Sequence, residues 1–152
     1  MKIVHANTAD LPGILALQYL AYQSEAKLLN DPEIPPLKQT LAELQKEFES
    51  GLILKAVDDD GTVIGSVRGY SQDGTFYIGK LIVRPDLQGQ GIGTALMTEV
   101  ETLAASERYE LFTSSKSVRN IKLYERLGYK RFKTASPRDG LEFVYLEKIL
   151  PS

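Results

Sequence analysis

The sequence contains no cysteine and a single histidine, and each shortage closes off chemistry. Without cysteine there is no disulfide, no thiolate metal site and no acyl-cysteine intermediate. The lone histidine, His5, falls in the first candidate strand, where a structural role is expected, not a catalytic one. No run of about 18 apolar residues occurs, so no membrane-spanning helix is expected. The opening Met1-Lys2-Ile3-Val4-His5 leads into a strand and helix, unlike a signal peptide, and a cytoplasmic location is the expectation. Lysine and arginine number 18 against 20 acidic residues, which offers nucleic acid no electrostatic attraction. Neither internal repeats nor low-complexity segments are seen.

What remains is an ordinary globular composition, 43% hydrophobic and 25% charged over 152 residues. That is enough chain for one domain with its own core, read here as residues 1–152. Lys2 to His5 is a short strand, and Thr8 is positioned to cap a helix with Pro12 in its first turn. Glu25 to Leu37 contains Asp31-Pro32-Glu33-Ile34-Pro35-Pro36 and reads as an exposed loop. A helix is expected from about Leu37 to Ser50, ended by Gly51. Strands follow over Leu52–Val57, Thr62–Tyr70 and Thr75–Arg84, joined by turns at Asp58-Asp59-Asp60-Gly61 and Asp73-Gly74. The acidic run of the first turn is expected to be solvated, and no metal is expected. Beyond Arg84 come a helix from Ile92, a strand over Tyr109–Thr113, a helix from Val118 to Leu127 after Ser114-Ser115-Lys116-Ser117, and strands over Tyr129–Thr134 and Leu141–Ile149. Hairpins first and strand-helix-strand units later predict an α/β fold, a mixed sheet with helices on both faces.

The chain is organised around Leu81 to Thr94. Leu81, Ile82 and Val83 form a short apolar run punctuated by Pro85, and Gly89, Gly91 and Gly93 then alternate. Ile92, Leu96, Val100 and Leu103 recur on one helix face. Strand, glycine-rich turn and helix start make a place for a phosphate, because the first helical N–H groups lack intrahelical partners and glycine lets an anion approach. A P-loop is excluded, since no lysine occurs between Lys80 and Lys116. A dinucleotide fingerprint fails at Thr94, where its third glycine should fall, and no acidic residue ends the next strand through Leu111-Phe112-Thr113. A second feature lies just upstream. Phe76 and Ile78 share one phase and Leu81 and Val83 the other, so the parity flips across Gly79-Lys80, as an inserted bulge residue would cause.

Gln88-Gly89-Gln90-Gly91-Ile92-Gly93 resembles motif A of the GNAT N-acetyltransferases. The resemblance implies the fold of that family, a central, mostly antiparallel twisted sheet with a splayed strand pair. It also implies a turn, Gln88 to Thr94, that cradles the pyrophosphate of acetyl-coenzyme A, and a pantetheine arm lying along Leu81, Ile82 and Val83 in the gap beside a bulged fourth strand. The second stretch, Asn120-Ile121-Lys122-Leu123-Tyr124 with Leu127-Gly128-Tyr129, is similar to the family's second signature. Asn120 and Tyr124 are four apart and share a helix face. The resemblance places Asn120 on the pantetheine or substrate side and Tyr124 near the sulfur. A phenol keeps its proton at neutral pH and can hand it to a departing thiolate, so Tyr124 is the expected general acid.

The base is not named by the same route. Some family members carry a glutamate in the fourth strand at the position of Tyr77, a departure in this chain; Glu142 and a water chain are alternatives. Glu25, Asp31 and Glu33 lie where the family builds one wall of the acceptor cleft, though carboxylates in a loop are commonly just solvated. The implied function is acetyl transfer from acetyl-coenzyme A to a primary amine of a small molecule or peptide by direct attack, with no metal, no nucleic acid and no membrane partner, and with a homodimer compatible by analogy. The other reading is a non-catalytic sensor of acyl-coenzyme A, toward which Tyr77 leans and against which Tyr124 stands.

Overall fold

Short hairpins open the chain and helical crossovers close it, and the computed structural model, which describes residues 1–150, follows that division. The strands are β1 (Lys2–His5), β2 (Leu52–Val57), β3 (Val63–Gln72), β4 (Thr75–Val83), β5 (Arg108–Ser114), β6 (Lys130–Arg138) and β7 (Leu141–Ile149). They form one sheet in the order β1-β2-β3-β4-β5-β7-β6. Every pairing is antiparallel except β4 with β5. The turn between β2 and β3 is organised by its own carboxylate, Asp58 accepting the N–H groups of Asp60 and Thr62 at 3.0 and 2.9 Å.

Among the described residues six α-helices accompany the sheet: α1 (Leu11–Ala21), α2 (Gln23–Leu28), α3 (Pro35–Lys38), α4 (Leu41–Ser50), α5 (Ile92–Ala104) and α6 (Val118–Arg126). One apolar layer joins Leu96, Met97, Val100, Ile121 and Tyr124 of α5 and α6 to Val67, Phe76, Leu111 and Leu146 of the sheet. The other joins Leu11, Ile14, Leu15 and Leu44 of α1 and α4 to Ile53 and Ile82. Helices therefore lie on both faces, as expected. No helix among the described residues is long and apolar enough to cross a membrane.

The region between the first strand and β2 differs most from expectation. Asn7, not Thr8, caps a 3₁₀ turn over Thr8–Asp10 that leads into α1. The supposed loop from Glu25 to Leu37 contains α2 and α3, with Ala26 and Ile34 buried. Its prolines permit this because Pro35 and Pro36 occupy the first turn of α3, where no N–H is needed. α4 consequently starts at Leu41, where Thr40 and Glu43 cap it reciprocally. Gly51 ends α4 in extended backbone; a Cβ there would meet the Gly69 carbonyl oxygen at 2.4 Å, so close approach to β3 is what requires glycine. β6 runs to Arg138 instead of stopping at Thr134.

Candidate active site

The parity change in β4 is a bulge. Arg68 of β3 pairs with Lys80 and Gly69 with Ile78, leaving Gly79 as the extra residue. Because of it, Phe76, Ile78, Leu81 and Val83 all face the α5–α6 layer, while Ile82 is buried among α1 and α4 residues. The pairing of β4 with β5 covers only Thr75, Phe76 and Tyr77 opposite Arg108, Tyr109 and Glu110. From there β4 stays with β3 and β5 stays with β7, its residues Leu111 to Ser114 lying opposite Leu146 to Phe143. The two strands part, and the β4 edge from Ile78 to Val83 has no ladder partner on that side. A split in the sheet begins where the extra residue sits.

The glycine turn stands at the end of β4. Gly89 and Gly91 have φ of +80° and +86°, the left-handed region that a Cβ disfavours. Gly91 is the residue before α5 and brings no side-chain cap, so the N–H groups of Ile92, Gly93 and Thr94 open toward the turn. A Cβ at Gly91 would meet nothing within 4 Å, which means that the turn leaves open space above these donors. Gln88 accepts a hydrogen bond from Nη1 of Arg119 at 2.9 Å. Arg119 was missed in the sequence reading; it is 31 positions away and belongs to no motif, so only the approach of α6 to the turn reveals it. Gln90 is exposed, and Ile92 is buried under α5.

α6, which follows β5 beyond the point where β4 and β5 part, carries the second signature. Asn120 is exposed and Tyr124, one turn on, is buried at 8% exposure. Tyr129 stacks at a tilt 6.1 Å from the Tyr124 ring and donates to Glu101 of α5 at 2.9 Å; this last tyrosine of the signature fastens α6 to α5. Burial, and after it the charge of Glu25, pushes the Tyr124 phenol above the ordinary tyrosine value. The serines before α6 do not cap it with side chains. Ser117 Oγ instead donates to Oε1 of Glu25 in α2 at 3.0 Å, a contact between residues 92 apart. Tyr22, the residue between α1 and α2, also has its phenol pushed up, first by burial, then by Glu25 and Tyr124, with Arg68 pulling the other way. Tyr22, Glu25, Ser117 and Tyr124 thus form one cluster that joins the α1–α2 corner to α6.

Of the other groups considered, Tyr77 is the last β4 residue to pair with β5, at the foot of the split. His5 and Glu142 are exposed on β1 and at the start of β7. Tyr77 stacks on Tyr70, ring centroids 5.3 Å apart. Asp31 is paired with Arg138 at 2.7 Å, and Glu33 with Lys38 at 3.3 Å. A further polar cluster that sequence reasoning did not find surrounds Arg68, at 3% exposure. Its guanidinium donates to Gln18, Gln39 and Glu47. On the bare face of β5 and β7, Phe112, Phe143 and Tyr145 form an aromatic patch with centroids 5.0 and 5.2 Å apart.

A profile described as the acetyltransferase (GNAT) family matches residues 18–129. The chain belongs to the GNAT family. It is accordingly an acyltransferase, and the matched span contains both the glycine turn and Tyr124. Solved GNAT structures share its fold at low identity. The PaiA N-acetyltransferase from Thermoplasma acidophilum in complex with coenzyme A aligns with a TM-score of 0.81 at 18% identity, over 97% of this chain and 98% of that one. The ribosomal-protein-S18-alanine N-acetyltransferase from Escherichia coli aligns at 0.81 and 17%, over 99% and 94%. The ribosomal-protein-alanine N-acetyltransferase from Brucella melitensis aligns at 0.78 and 22%, over 99% and 100%.

Proposed function

We propose that this GNAT protein acts as one acetyltransferase domain that moves an acetyl group from acetyl-coenzyme A to a primary amine, by direct attack with both substrates bound. The observation that carries the reading is the split between β4 and β5, with an uncapped helix start after β4 and the buried phenol of Tyr124 on the helix after β5. The residues fit the donor substrate. The N–H groups from Gly89 to Thr94 offer an anion donors without side chains in the way, with Gln88 and Arg119 beside them and Gln90 at the rim. The unpaired edge at Leu81, Ile82 and Val83 offers N–H and C=O groups to an amide-bearing arm, and Asn120 flanks its path.

Tyr124 has a defined task in this scheme. Its raised pKa keeps the proton on the phenol at neutral pH, so it stands as a hydrogen-bond donor to the charge that builds on sulfur as the carbon–sulfur bond breaks. In this scheme a backbone N–H of the unpaired β4 edge near the bulge steadies the carbonyl oxygen. The chain has no cysteine to form an acyl-thioester on the enzyme, in keeping with direct attack of the nitrogen on the thioester.

Thiol release from acetyl-coenzyme A, measured with a panel of polyamines, amino acids and peptides bearing free amino termini, tests the reading. Release with at least one amine is expected. Coenzyme A that binds without any thiol release on the whole panel would overturn it.

A further inference from the structure

Glu25 lacks a counter-charge. No lysine or arginine among the described residues lies within ion-pair distance of it. Its Oε1 accepts from Ser117, and Oε2 takes no hydrogen bond among the described residues. The titratable groups facing it are Tyr22 from the end of α1 and Tyr124 from α6; Arg68 of β3 acts on Tyr22, not on Glu25. A fully buried carboxylate needs a cation; Glu25 is half-buried and keeps Oε2 within reach of solvent. The fold instead supplies one hydroxyl and two phenols, and ties the carboxylate to the start of α6, the helix that carries Tyr124. The neighbouring carboxylate of Asp31 already has Arg138.

We infer that Glu25 receives the ammonium group of the acceptor and is the base that takes its proton before attack. The inference rests on the acetyl-transfer reading and narrows its substrate class to amines that are cationic in solution, an alkylamine, a lysine side chain or a free amino terminus. The protons balance. An ammonium nitrogen carries three protons and the amide product one. Glu25 takes the first and passes it to solvent as the one proton the overall reaction releases. The nitrogen lone pair then forms the carbon–nitrogen bond, the carbon–sulfur pair leaves on sulfur, and Tyr124 protonates that sulfur. The second nitrogen proton restores the phenol. Burial raises the carboxyl pKa of Glu25, with the Ser117 hydrogen bond opposing, which moves the base toward the neutral range where it works best.

The test is Glu25→Gln, assayed with the most active amine of the panel. The expected result is a fall in kcat/KM of about 10²-fold, with coenzyme A affinity by calorimetry unchanged and the Tm of the unliganded protein no lower than wild type. The acid limb of the kcat/KM profile that belongs to the carboxyl should vanish, and Glu25→Asp should recover part of the rate. An active wild type with Glu25→Gln inside threefold of it, an unchanged acid limb, or loss of coenzyme A binding along with activity would overturn this inference alone. A wild type that releases no thiol with any amine would overturn the acetyl-transfer reading and this inference with it.

Discussion

Two polar clusters lie near α1, and they are built on opposite terms. Around Arg68 everything is matched. Gln18 and Gln39 present their carbonyl oxygens to the guanidinium at 2.9 and 2.6 Å, Glu47 accepts at 3.1 Å, and Gln39 also donates to Glu47 at 2.8 Å. Gln18 donates in turn to the Pro36 carbonyl and Tyr19 to that of Gln39, so the cluster ties α1, α3 and α4 to β3. Around Glu25 one charge stands without its opposite. Tyr22 lies between them, its phenol held up by burial first and by Glu25 after it, and pulled down by Arg68. A buried network in which every group is satisfied fixes a structure, whereas Oε2 of Glu25, free among the described residues, is open to solvent and to an incoming cation. The first cluster holds α1 where the second needs it.

The largest separation between the two comes from their best variants. Tyr124→Phe removes a proton and leaves a ring, so kcat should fall about 10²-fold, or about 2.7 kcal/mol, while coenzyme A affinity and Tm stay within error. Stopped-flow thiol release beside calorimetry checks it, and an unchanged kcat would remove Tyr124 from the chemistry. Arg68→Met should do the reverse. Gln18 loses the donor to its carbonyl, and Glu47, whose side chain is 42% exposed, keeps solvent. The expected cost is about 2 kcal/mol of unfolding free energy, read from urea titration, with turnover far below Tm retained within a few-fold.

Stability against pH separates the clusters once more. The fold raises the Glu25 carboxyl, by burial first, so it favours the protonated form. That contribution is fully present below the unfolded glutamate value of about 4.3 and is lost as pH rises through the folded value. Glu25→Gln should therefore gain on wild type as pH climbs out of the acid range, and a gap that narrows instead would contradict the raised carboxyl.

These contrasts also show what was legible in the chain and why. The bulge at Gly79 and the turn from Gln88 to Thr94 could be read because each is a local pattern, a parity flip in one case and alternating glycines in the other. α2 and α3 were not, since the prolines of that stretch were weighed as helix breakers when two of them begin a helix. The resemblance set Glu25 on a wall of the acceptor cleft beside Asp31 and Glu33, with nothing to single it out from them. Its meaning depends on Ser117, and the serine's own neighbourhood suggested a helix cap. Arg68 sits mid-strand among apolar residues, where nothing nearby in sequence supplies its three partners. Pairings at long separation come from packing the layers, which local periodicity does not encode.

Smaller effects belong to the other end of the split. At Gly91 a Cβ meets open space but φ is +86°, so Gly91→Ala should cost about 1–2 kcal/mol of stability from backbone strain alone. Coenzyme A affinity should drop further than a matched destabilisation elsewhere would cause, because the added methyl stands over the helix donors.

Arg119→Ala should give the smallest change. The guanidinium is exposed, and its hydrogen bond to Gln88 lies in solvent, so its charge is screened and worth about 0.5–1 kcal/mol. That is a few-fold in coenzyme A affinity, larger at low salt. The chemistry of the ligand sharpens the test. If Arg119 acts with the turn on a diphosphate, its removal should weaken coenzyme A and leave a pantetheine thioester, which carries no diphosphate, unaffected. An equal loss for both would place its influence on the strand gap through α6, and the anion site would then rest on the backbone of Gly89 to Thr94 alone.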